Sequence, residues 1–262
     1  MPVPLDTDRL LRETFVAQVE HHWVLGSTND RACECAATRP GSLPLLIVAD
    51  RQTAGRGRGS NRWWTGAGSL ACSLLLDLRP FGIDPRRGPM VSLAAGMALV
   101  RTVAPLVPQQ TVGICWPNDL LAGGRKLAGI LIEVVPRRLH VIGIGLNTNS
   151  TIRDAPEELR RTAVTLRDLT GTEHDHTAIL RDLLRHLEVL LRQLGADPET
   201  IGAEADAVCL QRGRMLTLKQ GSRTFSGRCL GIAPDGALVL DTPQGPCSFY
   251  SGVVGEGAGT GD

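Results

Sequence analysis

Arginine, glycine and tryptophan crowd into one short stretch, GRGRGSNRWW at residues 55–64, a composition suited to holding an anion. Successive N–H groups of a glycine-rich turn can converge on negative charge, and arginine adds paired donors that match phosphate or carboxylate. Glycine also lets the backbone approach closely and rearrange. So much Gly and Arg builds no stable helix or strand by itself, so two readings stand: a mobile anion clamp, or a solvated surface loop. A second segment, TVGICWPNDLLAGGRKLAGILIE, places Asn118 and Asp119 in a turn just past an extended Trp116-Pro117. Lys126 then opens an apolar strand, where its ammonium would sit at a pocket rim and meet a developing anion. Here the alternative is two ordinary turns and a solvated lysine. STND (27–30) reads as a polar strand end in which Thr28 or Asn29 caps a helix. GIGLNTN (143–149) ends a strand with closely spaced glycines. Walker-type, nucleophile-elbow, HExxH and strand-following GxGxxG signatures are all absent from the sequence.

The elements that must position these residues follow from periodicity. Short apolar runs at 45–50, 69–78, 111–116, 126–135 and 139–147 predict strands, the last two forming an antiparallel hairpin across PRR. Residues 88–106, apolar nearly all round and bounded by Pro89 and Pro105, predict a buried helix. Leucines at 180, 183, 184, 187, 190, 191 and 194 draw one stripe on a second helix, with Asp175 as its cap and Gly195 as its end. Beyond it, short strands separated by glycines predict a small all-β barrel. The division is 1–205, 206–256 and a mobile tail at 257–262, and the mixture of strands and helices argues α+β.

Composition narrows the function. The 262 residues carry 28 basic and 27 acidic side chains, a net charge of +1, which counts against a protein living on nucleic acid. No run approaches the ~18 apolar residues of a membrane span, and the N-terminus lacks an export signal. The seven cysteines include no CxxC pair and read as reduced thiols of a cytoplasmic protein. His21-His22 and the HDH at 174–176 lack a third ligand at helical spacing, so no side-chain metal cluster is expected.

Taken together and in this order, STND, RQTAGRGRGSNRWW, WPNDLLAGGRKLAGILIE and GIGLNTN resemble the biotin protein ligases, strongly over about residues 20–150 and weakly in the C-terminal barrel. The resemblance implies an α+β catalytic domain with a mixed, class II synthetase-like sheet, followed by an SH3-like domain. It implies ATP-dependent activation of biotin to biotinyl-AMP and transfer to a lysine of a biotin carboxyl carrier protein, with Mg2+ accompanying the ATP. By the same resemblance, Ser27, Thr28, Asn29 and Gln52 would hold biotin. Arg56, Gly57 and Arg58 would fold over biotin and the adenylate, with Trp63 as an apolar wall. Lys126 would reach the carboxylate and α-phosphate, making Lys126 and Arg58 the catalytic pair. Gly129 would pack against biotin, while Asn118, Asp119 and Asn147 would contact the nucleotide. Asp119 is also the candidate base for the carrier lysine. Only about 20 residues precede HHWVLG, so the expectation is a monofunctional ligase without DNA binding; a homodimer is compatible with it. Three positions depart from the family pattern: Cys115 replaces a usual lysine, Gly26 an aspartate, and Thr65-Gly66 a Ser-Pro. A lipoate or octanoate ligase, and a nucleic-acid-binding protein, are the competing readings.

Overall fold

The computed structural model describes residues 4–38, 41–84 and 87–256, and the tail at 257–262 lies outside them. Helix α1 (Thr7–Glu13), capped by the Asp6 carboxylate on the Arg9 N–H, leads into β1 (Gln18–Leu25), α2 (Thr28–Thr38) and β2 (Leu45–Gln52). β1 and β2 pair in parallel, so α2 must cross the sheet between them. β3 (Leu70–Leu76) returns antiparallel beside β2 and is buried on both faces. After α3 (Gly88–Val103) come β4 (Val112–Cys115), β5 (Asp119–Ala122), β6 (Arg125–Val135) and β7 (Leu139–Leu146). They complete a seven-stranded mixed sheet in the order β1-β2-β3-β7-β6-β5-β4. The hairpin across Pro136-Arg137-Arg138 is present, with Val135 opposite Leu139.

Short helices α4 (Glu157–Arg160) and α5 (Leu166–Thr170) precede α6 (His176–Ala196) and α7 (Pro198–Ala207). All seven leucines of the α6 stripe are buried. Asp175 caps its start by accepting from the Thr177 N–H at 2.8 Å. Gly195 does not end the helix, which runs one residue further to an Asp197 cap. Glycine is required there for another reason: a β-carbon would stand 1.7 Å from the Phe81 carbonyl oxygen. With its one-turn extension, α3 spans 19 residues at mean hydropathy 1.4, but two-thirds of its window is buried against the sheet and α6. It is the core helix that its pattern predicts.

The core lies mainly between one face of the sheet and α3, α6 and α7, and α2 covers a smaller cluster on the other face. Strands β8 (Met215–Gln220), β9 (Arg223–Ile232), β10 (Leu238–Thr242), β11 (Gly245–Phe249) and β12 (Val253–Glu256) form a second, five-stranded antiparallel sheet. Its inner residues Leu216, Leu218, Leu238 and Leu240 continue the main core.

His140 on β7 is fully buried, and neither ring nitrogen completes a hydrogen bond. Burial pushes its pKa below the ordinary value, opposed more weakly by the nearby Arg138 backbone and Asp77. The folded imidazole therefore binds fewer protons than the unfolded one. Its stability contribution is intact above about pH 6.5 and is lost as pH falls towards the folded pKa. His174, His176 and His186 are lowered by burial too and act in the same direction. His140→Leu is expected to shrink, without abolishing, the fall in Tm between pH 7 and pH 5; an unchanged fall would place its source elsewhere.

Candidate active site

At one end of the seven-stranded sheet lies a cavity of about 580 Å³, walled by the 55–64 loop, the β4–β6 turns and the outer edge of the second sheet. Its floor is the β6–β7 hairpin, bare of side chains at Gly129, Gly143 and Gly145. A β-carbon at 143 would meet Asn29 Oδ1 at 1.9 Å, and one at 145 would meet the Trp63 indole at 2.2 Å. Two side chains thus lie against the strands only because glycine leaves room.

The STND segment serves this floor rather than the helix end. Ser27 stands just before α2, and Thr28 and Asn29, its first two residues, are buried. Gln52 Oε1 accepts from the Thr28 N–H at 2.8 Å and the Thr28 hydroxyl at 3.1 Å. The Ser73 hydroxyl lies 2.8 Å from Thr28 Oγ1 and 2.6 Å from Asn29 Oδ1, within reach of both with its single proton. Asn29 Nδ2 donates to Glu133 at 2.7 Å. The expected cap is therefore a buried polar relay. Such a relay holds one geometry, since each group left unpaired in a low-dielectric site carries a desolvation penalty.

The glycine-arginine loop is ordered by more than its composition suggests. Arg56 and Arg62 form an antiparallel bridge, closed by Gly57 N–H to Asn61 O at 2.8 Å and Trp63 N–H to Gly55 O at 2.9 Å. Arg56 is held by Glu133 and by Asp30, the latter at 2.8 Å, and Glu133 raises its pKa. Arg58 has no carboxylate partner among the described residues; it donates to Asn118 Oδ1 and to the Gly252 carbonyl, both at 3.3 Å. Asn118 in turn donates to the Ile130 carbonyl at 2.9 Å, fixing its amide.

Lys126 Nζ lies 2.7 Å from Asp119 Oδ2 and 5.7 Å from the centre of the Trp63 ring. Asp119 begins β5 instead of floating in the preceding turn, and its Oδ1 is buried without a partner. Cys115 lines the same wall; burial, then Asp119, push its thiol up to about 11, so it carries no charge near neutral pH.

Ser27, Thr28, Asn29, Gln52, Arg56, Gly57, Arg58, Trp63, Asn118, Asp119, Lys126 and Gly129 all line the one cavity. Asn147 does not. It is buried and spans to the Val164 and Lys126 carbonyls at 3.1 and 3.5 Å, so it braces the backbone of Lys126 from behind. Gly129 packs against Trp63 and the Lys126 stem. Sequence reasoning missed Ser73, Glu133 and Lys219. The first two had a signal: Ser73 is a lone hydroxyl in the apolar β3, and Glu133 a lone charge in the apolar second half of β6.

Residues 26–149 match the model of the biotin/lipoate A/B protein ligase family, and residues 213–254 match that of the biotin protein ligase C terminal domain. A biotin--[acetyl-CoA-carboxylase] ligase of Mycobacterium tuberculosis is 35% identical over 91% of this chain and 90% of its own length. The chain belongs to the biotin/lipoate A/B protein ligase family. Another member, the bifunctional ligase/repressor BirA of Bacillus subtilis, is 34% identical over 94% of this chain and 76% of its own. In fold, the chain resembles the Aquifex aeolicus biotin protein ligase solved with biotin and ATP, with a TM-score of 0.79 at 23% identity, covering 92% of this chain and 100% of that one. The family's catalytic and C-terminal segments thus correspond to the two sheets that wall the cavity.

Gly145→Ala tests whether the bare floor seats Trp63. The added methyl should expel the indole, red-shift tryptophan emission and lower stability by about 1–3 kcal/mol, the usual range for overpacking, with far-UV circular dichroism retained. Unchanged emission would show that the floor does not hold the ring.

Proposed function

We propose that the chain is a biotin protein ligase: it activates biotin with ATP to biotinyl-AMP and pyrophosphate, then transfers the acyl group to a lysine of a biotin carboxyl carrier protein. One observation carries the reading: Lys126 and an Arg58 with no carboxylate partner among the described residues line one cavity with Thr28, Asn29 and Gln52 of the buried polar relay. A relay of Thr28, Asn29, Gln52 and Ser73 suits an uncharged ureido ring, and the cationic outer end suits a carboxylate beside a triphosphate. The named relatives, biotin ligases or ligase/repressors, favour biotin over lipoate. No DNA partner is proposed, in keeping with the net charge of +1. The free thiols agree with a cytoplasmic setting. We take the catalytic unit as 1–205 and the C-terminal unit as 206–256.

In the first step a biotin carboxylate oxygen bonds to the α-phosphorus and the bond to the β-phosphate oxygen breaks, releasing pyrophosphate. Lys126 exchanges Asp119 for the carboxylate and α-phosphate and stabilises the charge that gathers there. Arg58, tethered only to neutral groups, turns onto the nucleotide without breaking an ion pair. Trp63 and the closed loop exclude water, which would hydrolyse the mixed anhydride. In the second step the carrier amine attacks the acyl carbon, AMP leaves, and Asp119, released from Lys126, accepts the amine proton. No group of three or more His, Cys, Asp or Glu gathers a metal among the described residues. The unpartnered Asp119 Oδ1 nevertheless fits a Mg2+ carried mainly by phosphates, which needs only one or two protein carboxylates. Bound with ATP, the ion would neutralise part of the phosphate charge.

The direct test supplies biotin, ATP and magnesium: pyrophosphate release should depend on biotin and not respond to lipoate. Lys126→Ala is expected to slow that release by at least ~100-fold, the scale of a lost transition-state contact. Near-normal release would remove Lys126 from its role. Arg58→Ala should let biotinyl-AMP escape into solution faster while the fold persists, measured by chromatography of the released adenylate. An unaltered escape rate would mean that the loop is no lid.

A further inference from the structure

The second sheet supplies one wall of the cavity, and that wall carries a charge with no structural employment. Lys219 lies near the end of β8, opposite Val253 of β12, and its neighbours Leu216 and Leu218 point into the core. Strand alternation therefore turns Lys219 outward, onto the cavity. Of the cavity's cations, Arg56 is paired with Glu133 and Asp30, and Lys126 with Asp119; Arg62 is exposed on the loop with no side-chain partner among the described residues, which leaves Lys219 as the cation that the second sheet supplies. Lys219 is exposed, and no hydrogen bond or ion pair ties its ammonium among the described residues. Arg58 reaches the same wall through the Gly252 carbonyl, next to the residue paired with Lys219. Across the cavity, Cys115 offers no compensating charge.

We propose that Lys219 is an ATP contact: with Arg58 it holds the triphosphate from the C-terminal side and sets affinity for the nucleotide, not for biotin. This rests on the ligase reading above. A polyanion brought beside a carboxylate needs cations that are free before it arrives, because a cation drawn from an ion pair leaves its partner uncompensated. Lys219 meets that condition, and its flexible stem lets it follow the leaving pyrophosphate as a point charge. The biotin end of the cavity, built from Thr28, Asn29, Gln52 and Ser73, belongs to the first sheet and α2, so the two affinities should separate.

The experiment measures biotin-dependent pyrophosphate release without carrier protein, together with calorimetric biotin binding without nucleotide. Lys219→Ala should raise the KM for ATP about 5- to 20-fold, the lower part of the range for a charge-assisted contact because the site is partly solvated. Lys219→Glu should raise it further, Lys219→Arg should restore most of it, and biotin affinity should stay within twofold throughout. The wild-type KM for ATP should rise with salt more steeply than that of Lys219→Ala. An unchanged ATP KM in both the Ala and Glu variants would overturn the assignment. So would a defect confined to the KM for the carrier protein, which would make Lys219 a docking residue. Failure of the wild-type chain itself to release pyrophosphate with biotin would instead defeat the ligase reading.

Discussion

The Trp63 indole rests on Gly145 and against Gly129, on two paired strands that have no side chains to hold it off. That contact decides where the glycine-arginine loop can be. The loop has few backbone bonds of its own, and its arginines are drawn to water. A large apolar ring seated on a bare sheet supplies the attraction that brings the polar tip back over the cavity. The neighbouring absence at Gly143 does the same for Asn29, whose amide lies where a β-carbon would be. The seats of Asn29 and Trp63 thus depend on one property of the hairpin, the lack of β-carbons on its cavity face.

Charge is distributed in a way that suits a cycle of anionic partners. Arg56 is committed, since Asp30 and Glu133 hold it and Glu133 also receives Asn29. It ties the loop base to the relay and is poorly placed to change partners. Lys126 is held by one carboxylate, itself only half satisfied. Arg58 bonds to an amide and a carbonyl, from which a guanidinium is easily drawn by phosphate. From Arg56 through Lys126 to Arg58, the hold of carboxylates on the cation loosens.

The elements were legible because periodicity reports burial: the α6 leucines, the hairpin across Pro136 and the apolar α3 stand where their patterns put them. Residue roles were harder to read. Thr28 and Asn29 at the start of a helix look like caps, because capping is a local rule. Their true partners, Ser73 and Glu133, lie 45 and 104 residues away from them. Asn147, which the resemblance placed on the nucleotide, is instead buried where the chain folds back and the Val164 carbonyl accepts from its amide, a tertiary contact that no local pattern encodes. The loop's composition concealed its hairpin, since glycine and arginine have no strand propensity and the bridge is imposed by the seat of Trp63.

The least legible feature was the part played by the second sheet, and Trp116 explains how it is joined to the first. Its ring N–H donates to the Gly236 carbonyl at 3.1 Å and its backbone N–H to Gln211 at 2.7 Å, so a residue of the cavity-lining turn is bolted to the C-terminal segment. The link residues Val208 and Leu210 exchange hydrogen bonds with Ile114 beside it. Asn118 and Asp119 follow two and three residues later and face the cavity. Displacing the second sheet would therefore unseat the turn that positions both, as well as remove Gly252 from Arg58. With Leu216, Leu218, Leu238 and Leu240 continuous with the main core, that displacement would also expose apolar surface, so the wall is held in place. The loop tip thus rests against a surface fixed by the core, through Arg58 on the Gly252 carbonyl of the C-terminal sheet.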